Sequence, residues 1–227
     1  MIIWKSGLER EGGIFQMIKG AILDKGEDGY TYFKKIFKAL NNFQKDYNWL
    51  ITDCDAHPKK LGHEIRIHQS KHGEYAWISG EELTGIIKKD DFQWVWAVLS
   101  GFDKNCSKDE ILKYKFPYAD CYDGFWKEKP SIQHPLACVE LVAWDSDLTL
   151  FISKDEDLVN RFRNAFPLSR DLEEYNVELQ AAKTPNTELF QKFYHKYGQE
   201  RTWPLICQYI EQRRKIRLGI EQSDDLL

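Results

Sequence analysis

Two carboxylates and an imidazole lie close together in the segment Asp53-Cys54-Asp55-Ala56-His57. The segment follows a short apolar stretch, WLIT, which predicts a strand whose end exposes these side chains. Carboxylate and imidazole groups can hold a hard divalent cation, and such a cation can polarise a phosphoryl group. Asp53, Asp55 and His57 are therefore candidate catalytic residues of a metal-assisted hydrolase or transferase. A polar turn before Pro58 is the other interpretation, and it needs no ligand.

The Asp-x-Asp of this segment is similar to the one that haloacid-dehalogenase phosphatases carry at a strand end. Their pattern continues with Thr or Val two residues after the second Asp, where this chain has His57. Their parallel sheet also differs from the sheet predicted below. The resemblance is confined to Asp53 and Asp55, and no residue role is carried over from it.

Other groups that could do chemistry lack a recognised spacing. Zinc ligands often occur at short spacing, but the four histidines of this region match no known ligand pattern, which favours surface positions in a hairpin. They are His57, His63, His68 and His72. Cys54 and Cys121 lie beside Asp residues, whose negative charge disfavours the thiolate. There is no GxSxG, GxxxxGK[ST] or GxGxxG motif. Beyond the three candidates above, the sequence therefore identifies no catalytic residue, and it identifies no metal ligand and no cofactor.

An aromatic-rich segment, Phe116–Ile132, lacks periodicity and predicts a long loop. Aromatic residues in such a loop either pack on the core or meet a partner, since Tyr and Trp dominate protein interfaces. The candidate partner-binding residues are Tyr118, Tyr122, Phe125 and Trp126.

Composition limits the classes of function. The 227 residues carry 32 Lys and Arg against 36 Asp and Glu, a net charge of -4, which disfavours a dedicated nucleic-acid binder. The first residues lack the apolar stretch of a signal peptide, and no window is apolar enough for a membrane helix. Five cysteines without regular spacing fit reduced thiols. We expect a soluble cytoplasmic protein with no membrane partner.

The elements that must position these residues can be read from periodicity and capping. Apolar spacing predicts a helix that Asp28 caps and that runs to Leu40. Three Ser-x-x-Glu capping boxes predict further helices over 80–89, 108–114 and 155–165, and their pairs are Ser79/Glu82, Ser107/Glu110 and Ser153/Glu156. Strands are predicted over 48–52, 64–68, 74–78, 92–99, 136–144 and 148–152, with turns at His72-Gly73 and Asp145–Asp147.

Hairpins outnumber strand-helix-strand units in this order. The sequence therefore predicts an α+β fold with a mostly antiparallel, hairpin-rich sheet and packed helices. It divides into a sheet domain over 1–168 and a C-terminal helical appendage over 169–227, with helices over 188–197 and 203–217.

Two functions follow from these observations. The first is a small protein-binding protein, with a bacterial immunity protein that neutralises a toxin by steric occlusion as the specific form, and another protein as its partner. The alternative is the metal-assisted enzyme that uses Asp53, Asp55 and His57. The missing catalytic motifs favour the first, and so favour a protein that is not an enzyme.

Overall fold

The computed structural model describes residues 18–57, 65–127, 129–179 and 195–196, with the backbone alone at His57. Its strands are β1 (Lys19–Leu23), β2 (Tyr47–His57), β3 (Ile67–Ser70), β4 (Gly73–Ser79), β5 (Gln93–Asp103), β6 (Val139–Trp144), β7 (Leu148–Ser153) and β8 (Arg170–Asp171). Its helices are α1 (Phe33–Ala39), α2 (Gly80–Lys89), α3 (Lys108–Ile111) and α4 (Glu156–Ala165). Short 3-10 helices cover Phe43–Asp46 and Asp123–Trp126, and residues 172–179 are also helical.

All eight strands belong to one sheet, in the order β3-β4-β2-β5-β6-β7-β1-β8. Every neighbouring pair is antiparallel. The α+β fold with an antiparallel, hairpin-rich sheet is thus confirmed. At the β6–β7 turn, Asp145 and Ser146 both take positive φ, which Asp tolerates well and which closes the predicted hairpin.

The sheet buries apolar side chains on both faces. The larger core lies under the helices and includes Phe33, Ile36, Trp49, Trp94, Phe151 and Phe162. A smaller core lies on the other face, where residues of 106–116 and 132–137 pack on the sheet, and it includes Leu50, Tyr75, Phe102, Ile111 and Phe116. Consecutive residues of a strand point to opposite faces, so Trp49 and Leu50 belong to different cores.

The N-terminal residues of the helices can be compared with the predicted caps. Ser79 forms the complete capping box with Glu82, as predicted for α2. The other predicted caps are wrong in detail: Asp155 rather than Ser153 caps α4, because Ser153 ends β7. Ser107 lies at the start of α3 without a side-chain hydrogen bond to its first turn.

The predicted and observed elements differ in several places. The strand predicted over 64–68 is observed as β3 (Ile67–Ser70), and the helix predicted over 108–114 ends at Ile111. α1 begins at Phe33 rather than near Asp28, since residues 24–32 form bends and irregular structure. β1 was not predicted, and neither was β8, which pairs with it at Ala21 and Ile22. Five residues, KGAIL, show too little alternation to indicate a strand.

The chain divides into two compact units: Met1–Phe125 with Lys129–Glu173, and Trp126–Glu128 with Glu174–Leu227. Within the second unit the Trp126 ring packs against Tyr175, with centroids 6.1 Å apart. The helices predicted over 188–197 and 203–217 lie outside the described residues except for 195–196, which are helical. The helical appendage over 169–227 stays a prediction.

In the described parts of the chain, no helix has the length and apolar character needed to cross a membrane.

Candidate binding cleft

The Asp53–His57 segment is not a turn at a strand end, because β2 continues through it to His57. The ladder with β5 shifts register between Thr52 and Asp55 and again between Asp55 and Ala56. Asp53 takes a φ of 48°, a left-handed conformation that an Asp can adopt within such a bulge. On its other side, the ladder with β4 joins Asn48–Ile51 to 76–79. The predicted strand end at Thr52 is therefore wrong.

The bulge holds the aromatic segment against the sheet. Oδ2 of Asp53 accepts hydrogen bonds from the backbone N–H groups of Ala119, at 2.6 Å, and Asp120, at 2.8 Å. The Thr52 hydroxyl donates to the carbonyl of Pro117 at 2.8 Å. Hydrogen bonds to an ionised carboxylate are stronger than neutral ones. Asp53 therefore fixes the position of residues 117–120 on β2.

A second carboxyl group, Glu140 on β6, holds the end of the same segment. It is fully buried and accepts hydrogen bonds from the Ser100 hydroxyl at 3.2 Å and from the backbone N–H groups of Gln133 and His134 at 2.9 and 3.1 Å. Burial raises the pKa of the Glu140 carboxyl to about 7, although these hydrogen bonds act in the opposite direction.

His134 is buried beside this carboxyl group and makes two further hydrogen bonds. Its Nδ1 accepts from the backbone N–H of Leu136 at 3.2 Å, so its Nε2 is the nitrogen that donates to the carbonyl of Ile111 at 3.1 Å. Burial lowers the pKa of His134, which favours the neutral form of the ring. His134 thus has a structural role.

An open cleft of about 490 Å³ lies between the β2 bulge, the β3–β4 hairpin and residues 115–120. Its aromatic lining residues are Tyr75, Trp96, Phe116 and Tyr118, and its charged ones are Asp53, Asp55, Glu74, Asp120 and Lys115. Asp55 lies directly opposite Trp96 in the β2–β5 ladder. We call this feature the acidic aromatic cleft.

A series of five packed aromatic rings runs from Tyr118 to Trp96. Ring centroids are 5.1 Å apart for Tyr118 and Tyr122, 4.8 Å for Tyr122 and Phe125, 6.2 Å for Phe125 and Trp144, and 5.0 Å for Trp144 and Trp96. All four pairs meet edge to face, an arrangement that aromatic quadrupoles favour. The first ring of this series, Tyr118, and the last, Trp96, both line the cleft.

The structure brings two of the three candidate catalytic residues to this cleft. Asp53 and Asp55 both line it, and Asp55 is exposed. The side chain of His57 lies outside the described residues. Over the part of the chain that the structure describes, no three His, Cys, Asp or Glu residues converge as a metal ion would require. The metal-assisted enzyme stays a prediction.

The four candidate partner-binding residues occupy different environments. Tyr118 lines the cleft and is 37% exposed, and Tyr122 is half-buried beside it. Phe125 is fully buried in the first unit, and half-buried Trp126 belongs to the second unit. Tyr118 is therefore the one of the four that the structure places at the rim of the cleft.

The cysteines near the cleft are poor nucleophiles. Burial, together with the charges of Asp55 and Asp53, raises the pKa of the Cys54 thiol far above its usual range. A hydrogen bond to Asp120 raises the pKa of Cys121, whose Sγ donates to that carboxylate at 3.3 Å. Both shifts disfavour the thiolate, which is the direction that the neighbouring Asp residues predicted from the sequence.

Two histidines of the predicted cluster pack against aromatic rings. His68 stacks on Tyr75 with centroids 5.3 Å apart, and His72 lies 5.6 Å from Phe116. His63 lies outside the described residues.

Comparisons of the chain with protein-family models, with curated proteins and with solved structures find no match.

Proposed function

We propose that this protein binds another protein through the acidic aromatic cleft and acts by covering a site on that partner. The observation that carries the proposal is the exposed ring of Tyr118 at the rim of the cleft. Tyrosine is enriched at interface hot spots because its ring contributes a large contact area with few rotatable bonds.

The surroundings of Tyr118 support this role. Asp53 fixes the backbone on the C-terminal side of Tyr118, and Tyr122 packs against its ring. A side chain that is already positioned loses little conformational entropy on binding. Exposed carboxylates at Asp55 and Asp120 supply the charged rim that surrounds the apolar centre of a typical interface. The toxin-neutralising form of this function stays a prediction from the sequence.

Site-specific photocrosslinking tests the proposal. Tyr118 is replaced by p-benzoylphenylalanine, which keeps an aromatic ring, and the variant is irradiated in the cells that make the protein. Tyr32 is the matched control, because it is 38% exposed but lies at the start of α1. We expect a protein adduct from position 118 and none from position 32. Equal adducts from both positions, or none from position 118, would contradict the proposal.

A further inference from the structure

We infer that the partner places a cationic side chain, that of an arginine, in the acidic aromatic cleft; this inference rests on the proposed function. The first reason is charge. The lining residues include four carboxylates, on Asp53, Asp55, Glu74 and Asp120, against one ammonium group, on Lys115, and one imidazole, on His72. Low-dielectric walls strengthen the attraction of such a cleft for a positive group.

The second reason is the aromatic walls. Faces of Tyr and Trp attract cations through the ring quadrupole, and a planar guanidinium also stacks on them. Two rings of this cleft already attract ammonium groups of the same chain. Nζ of Lys115 lies 5.6 Å from the centroid of Tyr118, and Nζ of Lys108 lies 5.5 Å from that of Tyr75. The cleft thus combines carboxylates with aromatic rings that attract cations, which are the two kinds of group that bind an arginine side chain.

The third reason is the geometry of the carboxylates. Asp53 is held by its left-handed backbone and by two hydrogen bonds through Oδ2, and Asp55 is held opposite Trp96 by the β2–β5 ladder. Backbone strain of this kind is concentrated at binding sites, where the surrounding structure maintains it. An incoming guanidinium therefore meets carboxylates whose backbone positions are already fixed.

A hydrated metal ion suits these walls less well. Magnesium and calcium take oxygen ligands, whereas four aromatic side chains, Tyr75, Trp96, Phe116 and Tyr118, belong to the lining. Glu74 already accepts a hydrogen bond from the Gln69 amide at 2.5 Å, so its carboxylate lies toward the β3–β4 hairpin. The aromatic faces favour an organic cation.

Two peptides that differ only in charge test the inference. The probes are Ac-Gly-Gly-Arg-Gly-Gly-NH2 and the same peptide with citrulline in place of arginine, which keeps the shape and removes the charge. Each is titrated into the isotope-labelled full chain, and nuclear magnetic resonance follows the indole N–H of Trp96 and the backbone amides of residues 115, 116 and 118–120. We expect the arginine peptide to bind at least about five-fold more tightly, because only it gains the Coulomb and cation–π terms.

Variants then locate the site. Asp55→Asn should weaken binding of the arginine peptide about three-fold, and Asp157→Asn, at an exposed position in the first turn of α4, should leave it unchanged. Equal shifts from both peptides, no shifts in the cleft at millimolar peptide, or the same cleft shifts from MgCl2 would overturn the inference. If crosslinking from Tyr118 is selective while the two peptides bind equally, the inference of a cationic side chain in the cleft is refuted and the proposed function stands.

Discussion

The side-chain amide of Gln133 pairs with the backbone of Tyr118 through two hydrogen bonds. Its Nε2 donates to the Tyr118 carbonyl at 2.8 Å, and its Oε1 accepts from the Tyr118 N–H at 3.1 Å. The same Gln133 donates its own backbone N–H to buried Glu140, at 2.9 Å. Gln133 therefore connects the rim of the acidic aromatic cleft to a carboxyl group inside the fold.

Together with Asp53, this pairing explains how a segment with little regular structure can form the wall of a cleft. One carboxylate holds Ala119 and Asp120, the other holds the backbone at Gln133, and the Gln133 amide joins the two attachment points. Buried polar groups that are fully hydrogen-bonded specify one conformation of a loop. The position of Tyr118 thus depends on residues far from it in sequence.

Replacement of Asp53 should destabilise the protein more than replacement of its neighbour Asp55. Asp53→Ala removes two charge-assisted hydrogen bonds and places Ala at a positive φ, so we expect the free energy of unfolding to fall by about 3 kcal/mol. Asp53→Asn keeps one oxygen and tolerates the backbone, and should lose about 1 kcal/mol. Urea unfolding measures both. Asp55→Ala, at an exposed position, should change stability little, and equal losses at both positions would refute the role given to Asp53.

Glu140 should make the protein less stable as the pH rises. Its pKa is raised from 4.5 to about 7 on folding, so between these values the folded state retains a proton that the unfolded state has released. Its contribution is full below pH 4.5 and is lost as the pH approaches 7, by an amount on the order of 3 kcal/mol.

Unfolding by urea at pH 4.5, 5.5, 6.5 and 7.5 measures this slope. Glu140→Gln cannot titrate and should flatten it, whatever its effect on absolute stability. Glu156→Gln, exposed in the first turn of α4, is the control and should keep the wild-type slope. An unchanged slope in Glu140→Gln would show that Glu140 titrates normally in the folded protein.

The two serines at helix starts should differ in their effect on stability. Ser79 accepts a hydrogen bond from the Glu82 N–H, so Ser79→Ala should lower the free energy of unfolding by about 1 kcal/mol. Ser107 has the same position on α3 without a side-chain hydrogen bond to that helix, and Ser107→Ala should change it by less than about 0.5 kcal/mol. Thermal unfolding compares the two, and an equal loss would show that the caps do not differ.

The two glycines of α2 should respond to alanine in opposite directions. A Cβ at Gly80 would lie 1.9 Å from the backbone oxygen of Gln44, so Gly80→Ala should cost about 3 kcal/mol or prevent folding. A Cβ at exposed Gly85 meets no described atom within 4 Å, and Gly85→Ala should stabilise the helix by about 0.5–1 kcal/mol. Chemical denaturation decides, and a stabilising Gly80→Ala would refute the close approach of α2 to residue 44.

Local signals sufficed for part of this fold. The Ser79/Glu82 capping box predicted the helix over 80–89, which is α2, and the Asp145–Asp147 turn predicted the β6–β7 hairpin. β1 could not be predicted, because it is a short strand whose partners, β7 and β8, lie more than 120 residues away in the sequence. Strand formation depends on such partners more than on local propensity.

The lining of the cleft could likewise be predicted only in part from local sequence. Tyr118 was a candidate from the sequence, whereas Trp96 was predicted only as part of the strand over 92–99. Strict alternation would place Trp94 and Trp96 on one face, but the register shift opposite Asp55 and Ala56 leaves Trp94 in the helix-side core and Trp96 in the cleft. Bulges of this kind depend on pairing between distant strands, which local sequence does not encode.

Hydrogen exchange in the complex tests the central claim most directly. The partner captured from position 118 is mixed with the full chain, and backbone amide exchange is compared with that of the free protein. We predict slower exchange in residues 72–75 and at residues 115, 116 and 118, which line the cleft, and unchanged exchange in 33–40, on the helix side of the sheet. Protection of 33–40 with no change around the cleft would show that the partner binds another surface.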